Sequence, residues 1–430
     1  MKKIIFLLAV LIISISAYAD FTDTTRQRLT PDEFLIMPWG HYWWTNNTQR
    51  DEYFKDMYDC GFNVTHFIPP TEVKFAKKHN LKAHVFVDST GESDADYATK
   101  AQNFTKRVIK EVGKNNLDDL YMVYVQDEPN AREDTVARLS AYADAVRESC
   151  KCKPYINLYP IAVSPAGLGV ESYDKYIDTI TQSCKLDYIS YDNYSFSVGN
   201  NPDAVGYTNS VRNYNFNENY FYSNLEAIKK GADINRVGFI NIIQSVGALS
   251  WPDPDDYIIH VQGWSSLAYG AKGISYFTYQ TPNLGNWRNA PYDEYNMKSP
   301  AWRYVAHMNY AIHNIGAIYK SLKNINVFHM GYVPKGCKDK SSAINVKNLS
   351  LSPLRGEANV VAQEFVDKAG KQYAMIVNKN PDYSVAVGIE FNKGNKIFKV
   401  EDRSTGGDVK SFGGEDVYIM PGHGVLLYAE

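Results

Sequence analysis

The sequence predicts an α/β protein built as a (β/α)8 barrel, the TIM-barrel class, followed by a small all-β sandwich. Three observations predict it. Strand-like apolar runs alternate with helix-period segments eight times between residues 34 and 320, the period and size of such a barrel. Polar and acidic residues gather where these runs end, which in a parallel barrel is the ligand-facing rim. From about Asn326 the grammar changes to short runs such as Val360–Val366, Gln372–Asn378, Ser384–Phe391 and Asp416–Met420, separated by Asp, Gly and Asn turns. A doubly wound open sheet would need shorter or more polar edge strands, and none is seen.

Taken in order, residues 1–19 (MKKIIFLLAVLIISISAYA) join two lysines, an apolar run and an Ala-Tyr-Ala site before Asp20, the layout of a cleaved secretory signal. No cysteine follows that site, so a lipid anchor is not expected. No later run reaches the length of a membrane span, so we expect a secreted or periplasmic protein. The barrel is expected over 20–325 and the sandwich over 326–430. Phe34 to Trp44 reads as a first strand entering an aromatic loop. Asp51 to Cys60 is an amphipathic helix stopped by Gly61. Strands follow at Phe62–Ile68 and Leu81–Asp88, with helices at Glu72–Asn80 and about 94–114. The fourth strand, from Leu120, ends abruptly in Asp127 and Glu128, and Pro129 prevents further ladder pairing. A helix, Thr135–Ser149, then a strand, Pro154–Tyr159, and a helix near Ser172–Gln182 come next. Strand Leu186–Tyr194 leads to an Asn-rich loop over 195–217, helix Tyr220–Lys230 and strand Val237–Gln244. A helix within Pro252–Ala271, strand Gly273–Tyr279 and a helix from Pro300 to Lys320 complete the alternation.

Composition narrows the partners. The net charge of -3 and the interspersed lysines, arginines and acids leave no electrostatic footprint for nucleic acid or an anionic membrane. Aromatics make up 14% of the chain, with 33 Tyr and 7 Trp, a supply that permits stacking on sugar rings. The five cysteines, Cys60, Cys150, Cys152, Cys184 and Cys337, leave at least one thiol free. A Cys152–Cys184 or Cys150–Cys184 bridge is open, and Cys150-Lys-Cys152 lacks zinc-finger spacing. His41 and His66 show no HxH or HExxH spacing and read as hydrogen-bonding residues, so neither metal nor cofactor is expected. There is no Ser-centred elbow, phosphate-binding loop or dinucleotide fingerprint.

Collecting the strand ends gives the candidate site. The first delivers His41, Trp43 and Trp44, the third Asp88, the fourth Gln126, Asp127 and Glu128, and the fifth Asn157 and Tyr159. The sixth delivers Tyr191, Asp192 and Tyr194, the seventh Gln244, and the eighth Tyr279 and then Trp287. Carboxylates, amides and aromatics converge without a basic cluster, which suits neutral polyhydroxyl ligands. Glu128 is the first candidate for a general acid, its pKa raised by an aromatic pocket and an adjacent carboxylate. The alternative is a cap for the following helix. By strand parity Glu128 shares the face of Gln126 and Tyr124. Asp192 ranks second against an Asx-turn, and Asp88 is weaker, since Asp88-Ser-Thr-Gly91 is ordinary turn chemistry.

Tyr124-Val-Gln-Asp-Glu-Pro129, Gly270-Ala-Lys-Gly-Ile-Ser-Tyr-Phe-Thr-Tyr279, Tyr373-Ala-Met-Ile-Val-Asn378 and Pro421-Gly-His-Gly-Val-Leu-Leu427 together resemble secreted bacterial (β/α)8 glycoside hydrolases with a C-terminal β-sandwich. The resemblance implies cleavage of O-glycosidic bonds in oligo- or polysaccharides. In the large retaining clan of these barrels a Glu, usually after Asn, ends strand four as acid/base, and a Glu ending strand seven is the nucleophile. Glu128 matches the first position, whereas Asp127 replaces the Asn and Gln244 ends strand seven. An Asp-Glu pair on strand four is instead similar to the β-N-acetylhexosaminidases, including bacterial β-N-acetylgalactosaminidases, in which the Asp orients the substrate's 2-acetamido group as internal nucleophile. Alternatively Asp192 is the second carboxylate. The other class open is a non-catalytic carbohydrate-binding protein on a degenerate barrel, motivated by the missing strand-seven Glu. A lyase or esterase lacks the basic residues or the Ser elbow it needs.

Overall fold

The computed structural model describes residues 28–40, 47–87, 96–198, 214–283, 285–353, 357–402, 408–411 and 417–430. The candidate signal segment and the candidate residues His41, Trp43 and Asp88 lie outside the described residues. Eight parallel strands form one sheet: β1 (Leu35–Pro38), β2 (Val64–Ile68), β3 (Lys82–Val85), β4 (Leu120–Asp127), β5 (Lys153–Leu158), β6 (Tyr188–Asp192), β7 (Gly238–Gln244) and β8 (Gly273–Phe277). Their spatial order is β1-β8-β7-β6-β5-β4-β3-β2. The ring is nearly closed at the β1/β2 seam by Asn63. Its side-chain oxygen accepts from the Ile36 amide at 2.9 Å, and its own amide donates to the Ile36 carbonyl at 3.1 Å.

Among the described residues, eight helices longer than one turn follow the strands: α1 (Asn47–Asp59), α2 (Val73–Lys78), α3 (Tyr97–Val112), α4 (Glu133–Ala145), α5 (Tyr173–Ser183), α6 (Glu218–Asn235), α7 (Asp256–Ala268) and α8 (Pro300–Tyr319), with a single short turn at Pro165–Leu168. Their starts are written in the sequence. Asp96, Ser172, Asn217, Asp255 and Ser299 each turn a side-chain oxygen onto an early helical amide, satisfying donors that have no partner within the helix. Pro300 adds a preset φ at the start of α8.

Alternation within the strands separates two apolar layers. Leu35, Met37, Val64, Phe67, Met122, Tyr155, Ile240 and Ile242 fill the barrel. Ile36, Val123, Ile156, Ile189, Tyr191, Phe239, Ile243 and Tyr276 pack outward under the helices. The segment read as a loop after strand six contains a two-stranded ribbon, Phe196–Val198 paired with Tyr214–Phe216, whose rings Phe196 and Phe216 stack 4.4 Å apart.

The remainder is a sandwich of two antiparallel sheets. The larger runs β9 (Lys323–Met330), β11 (Val360–Val366), β12 (Gln372–Asn378), β17 (Gly424–Ala429), β14 (Ile397–Asp402) and β15 (Asp408–Ser411), and the smaller runs β10 (Val346–Pro353), β13 (Val385–Phe391) and β16 (Val417–Ile419). Ala362, Ala374, Ile376 and Leu427 face the small sheet. Val361, Phe365, Met375 and Leu426 turn the other way, into the barrel's helix-layer core. Burial on both faces explains why Tyr373-Ala-Met-Ile-Val377 is apolar throughout. At this junction Lys379 Nζ reaches Glu218 Oε2 at 2.7 Å, Asn359 donates to Glu218 Oε1 at 2.9 Å, and the Tyr257 hydroxyl donates to the Lys379 carbonyl at 2.7 Å. All five thiols are free, so neither bridge to Cys184 is present. Cys150 interacts with Cys152, and Cys184 lies 4.0 Å from the Ser140 hydroxyl.

Candidate active site

The acids are positioned by an irregularity in β4. Against β5, Tyr124 pairs with Tyr155 but Gln126 with Ile156 and Asp127 with Asn157, so one residue, Val125, is extra. An extra residue reverses the side-chain alternation. Gln126 therefore turns out of the barrel, where its Oε1 accepts from Arg138 of α4 at 3.2 Å. The expectation that Gln126 binds ligand, and the parity argument that aligned Glu128 with it, are corrected by this slip. Asp127 turns inward instead. Glu128 follows with φ 42°, in the left-handed region that a non-glycine residue enters at a cost of roughly 1 kcal/mol. Its amide donates to the Asn157 carbonyl at 2.9 Å.

Asn157, buried on β5, is the hub. Its Nδ2 donates to Asp127 Oδ1 at 3.0 Å and to Asp192 Oδ1 at 2.8 Å, while its Oδ1 accepts from Ser190 Oγ at 3.1 Å. Tyr155 and Ser190 hydroxyls lie 2.6 Å apart beneath it, so the chain Tyr155, Ser190, Asn157 fixes the amide with both hydrogens on carboxylates. Both acids accept from Asn157, a contact that favours their charged forms against the effect of burial.

Glu128 behaves differently. Burial first, and then the charges of Asp192 and Asp127, push its carboxyl up to about 8. Asp192 is raised to about 7, chiefly by burial and by Asp127, against the lowering effect of its Asn157 hydrogen bond. Asp127 is raised by burial, with the Asn157 hydrogen bond opposing. It is exposed to solvent on its open side and enclosed by protein on the others. The hydrogen bond between Glu128 and Asp192 raises the first and lowers the second, which makes Glu128 the donor and Asp192 the acceptor. At neutral pH the proton of this pair rests on Glu128.

Aromatic planes stand around the acids. Tyr194 lies 4.6 Å from Trp251 and 5.2 Å from Phe277, and Trp287 lies 5.5 Å from Trp251. On the other side Trp39 packs on Phe67 at 4.4 Å and Phe67 on Tyr124 at 4.7 Å. Tyr159 and Tyr220 feel the charge of Glu128. Trp39, Trp251, Phe277 and Tyr220 are absent from the residues picked on the sequence. Trp39 directly follows β1 and Phe277 ends β8, so counting inward parity to each strand's last residue finds both; Trp251 and Tyr220 come from loops and carry no such signal.

Two expected ligand residues face elsewhere. Tyr191 is fully buried in the helix-layer core, because in β6 it alternates with the inward Ser190 and Asp192. Tyr279 is likewise buried, donating to Asp56 of α1 at 2.8 Å. Gln244 ends β7 on the inward face, in register with Phe277, and its side-chain amide is buried with no partner among the described residues. A cleft at the opposite, amino-terminal end of the strands is lined by Leu120, Tyr121 and Lys153, and Lys153 is paired there with Asp32 at 2.8 Å.

No family model matches the chain, and no curated protein matches it. Solved structures that it resembles are glycoside hydrolases. An endo-β-1,4-mannanase from Thermotoga petrophila aligns with TM-score 0.42 and 11% identity over 81% of this chain and 95% of the other. A GH51 arabinofuranosidase from Xanthomonas axonopodis pv. citri aligns with TM-score 0.44 and 9% identity over 94% and 97%. An endo-β-1,4-glucanase from the same organism aligns with TM-score 0.43 and 10% identity over 61% and 90%. No helix among the described residues is long and apolar enough to cross a membrane.

Proposed function

We propose that the chain is an exported glycoside hydrolase acting on neutral oligo- or polysaccharides, with Glu128 as the general acid. The observation that carries this reading is the carboxyl of Glu128, protonated at neutral pH and hydrogen-bonded to Asp192, beside Asp127 and between aromatic walls. A carboxyl held neutral near pH 7 can pass its proton to a glycosidic oxygen as the C1–O bond breaks.

The same contact favours one mechanism. Retaining glycosidases separate their two carboxyls by about 5–5.5 Å and inverting ones by about 6.5–9.5 Å. Glu128 and Asp192 are in direct hydrogen-bond contact, and β7 ends in Gln244 rather than an acid. A nucleophile supplied by the substrate resolves this. The carbonyl oxygen of a 2-acetamido group attacks C1, Glu128 protonates the leaving oxygen, and Asp127, held by Asn157, orients the acetamide N–H. Water then opens the oxazolinium, with Glu128 as base. The β-N-acetylhexosaminidase reading thus rests on the paired acids.

Aryl glycosides with and without the 2-acetamido group provide the test. Hydrolysis confined to the acetamido set, and inhibition by an N-acetylhexosamine thiazoline, are expected. Equal turnover of 2-hydroxy substrates, with indifference to thiazoline, overturns the substrate-assisted step. A parent protein that binds glycans and cleaves none overturns the hydrolase and leaves the binding protein.

A further inference from the structure

At the amino-terminal end of the barrel strands, away from the candidate acids, two thiols stand two residues apart. Cys150 closes a π-helical turn, Val146–Cys150, that continues α4, Lys151 follows in the left-handed region with φ 56° and ψ 30°, and β5 begins at Lys153. A middle residue with helical dihedrals of either hand sets the Cα atoms on its two sides roughly 5.5 Å apart. Disulfides most often join Cα atoms about 5.5–6 Å apart, provided that the side chains converge. Here they do, since the Cys150 and Cys152 thiols are hydrogen-bonded to each other.

The other three thiols are turned to other groups. Cys60 lies 3.8 Å from the Trp302 carbonyl oxygen, Cys184 4.0 Å from the Ser140 hydroxyl, and Cys337 3.6 Å from the Tyr269 hydroxyl. Cys60 and Cys184 are also fully buried in the helix-layer core. Cys150 is 5% exposed, whereas Cys152 is half-buried and lines a cleft of about 490 Å3 with Tyr121, Lys151 and Lys153. That is room for a small ligand, so a small disulfide can reach one member of the pair but not the thiols of the core.

We propose that Cys150 and Cys152 are an oxidisable dithiol, which closes into a disulfide by exchange with a small disulfide that enters the cleft. The hydrogen bond lowers the Cys150 pKa and raises that of Cys152, so Cys150 loses its proton first and Cys152 keeps its own. As the Cys152 sulfur attacks the incoming S–S bond, its proton passes to Cys150 and one thiolate leaves, protonated by solvent. Cys150 then gives its proton to solvent and attacks Cys152 Sγ, the mixed disulfide breaks, and a second thiol leaves. Two protein thiols are oxidised, and one disulfide is reduced to two thiols. The first residues of the chain have the layout of an export signal, and exported chains meet disulfide oxidants. The proposal stands independently of the assignment of Glu128.

The full chain is reduced, freed of reductant and equilibrated without denaturant at rising ratios of oxidised to reduced glutathione. It is then trapped with an alkylating reagent, and mass spectra are taken of the whole chain and of peptides from a digest that spares Lys151. The expected product has two alkylated thiols fewer than the five of the reduced chain and carries a link between Cys150 and Cys152. In the reduced chain, alkylation should reach Cys152 about tenfold faster than Cys60 or Cys184. Cys150→Ser cannot close the ring and should stop at a glutathione adduct on Cys152, with circular dichroism to check its fold. Retention of all five thiols at the oxidising end of the series overturns the dithiol, and so does a link mapped to Cys184. A folded Cys150→Ser chain that takes up no glutathione at Cys152 shows that the cleft does not admit the oxidant, and overturns the proposal as well.

Discussion

One amide sets the ionisation of the site. Because Asn157 gives its two hydrogens to Asp127 and Asp192, it opposes the upward pull of burial on both, and within the Glu128–Asp192 pair the proton is left to Glu128. Glu128→Gln keeps the shape and removes the proton, and it should lower kcat by about 10²–10⁴-fold in a glycoside assay while leaving ligand affinity within a few-fold. Activity should fall along a basic limb near pH 8, where the Glu128–Asp192 pair loses its shared proton. Asp192→Asn removes the charge that helps to hold Glu128 up, so that limb should move to lower pH; a limb that stays in place rejects the pair. The same shift has a cost in stability. The folded-state value, about 8, lies above the ordinary 4.5, so the unfolded chain gives up this proton first. The stabilisation from Glu128 is therefore complete below pH 4.5 and lost as pH rises towards 8. Glu128→Gln should melt above the parent at pH 8, with the difference shrinking towards pH 4.5.

At the scale of elements, the alternation of strands and helices is legible because most strands are apolar runs rich in β-branched or aromatic residues and five of the helices, those begun by Asp96, Ser172, Asn217, Asp255 and Ser299, carry a capping side chain. The segments Val360–Val366 and Gln372–Asn378 match strands β11 and β12 end to end. What sequence patterning missed are the exceptions to regular geometry. The extra Val125 reverses parity in β4, so Gln126, which regular alternation puts in the mouth, lies outside it. Tyr191 and Tyr279 have the aromatic character and strand-end position of ligand residues, yet period-two alternation and the contact with Asp56 bury them under the helices. β9 begins at Lys323, before the change of grammar at Asn326, since its first residues are polar. The ribbon after β6 carries no sequence signal because both of its strands, Phe196–Val198 and Tyr214–Phe216, are only three residues long. Helix contacts make a further forecast. A Cβ at Gly231 of α6 would lie 2.6 Å from Ile177 Cγ2 of α5. Gly231→Ala should therefore destabilise by about 1–3 kcal/mol in chemical denaturation, despite the better helix propensity of alanine. An unchanged midpoint would mean that the two helices stand further apart.

For the whole molecule, the question is whether barrel and sandwich fold as one unit. The larger sheet has apolar residues on both faces, one set against the small sheet and the other in the helix-layer core of the barrel. Between them Lys379 and Glu218 are both fully buried, and the ammonium also donates to the Tyr332 carbonyl at 2.9 Å. Burial lowers the Lys379 pKa, with Glu218 opposing that change. Removing one partner of such a pair leaves the other charge without its counterion in a medium that cannot solvate it, at a cost of about 3–5 kcal/mol. Lys379→Met should therefore destabilise strongly, and Lys379→Met with Glu218→Gln should recover part of the loss. The readout is favourable, since the last tryptophan is Trp302 and every tryptophan precedes the sandwich. Tryptophan fluorescence thus comes from barrel residues, with Trp264 of α7 packed on Gly424 of β17 at the junction, although Lys379 lies in the sandwich. If the junction couples the two, fluorescence and far-ultraviolet dichroism will move together to lower denaturant in Lys379→Met. A fluorescence midpoint that stays at the parental value while the dichroism shifts would mean that the barrel stands without its partner, and that the buried pair stabilises the sandwich only.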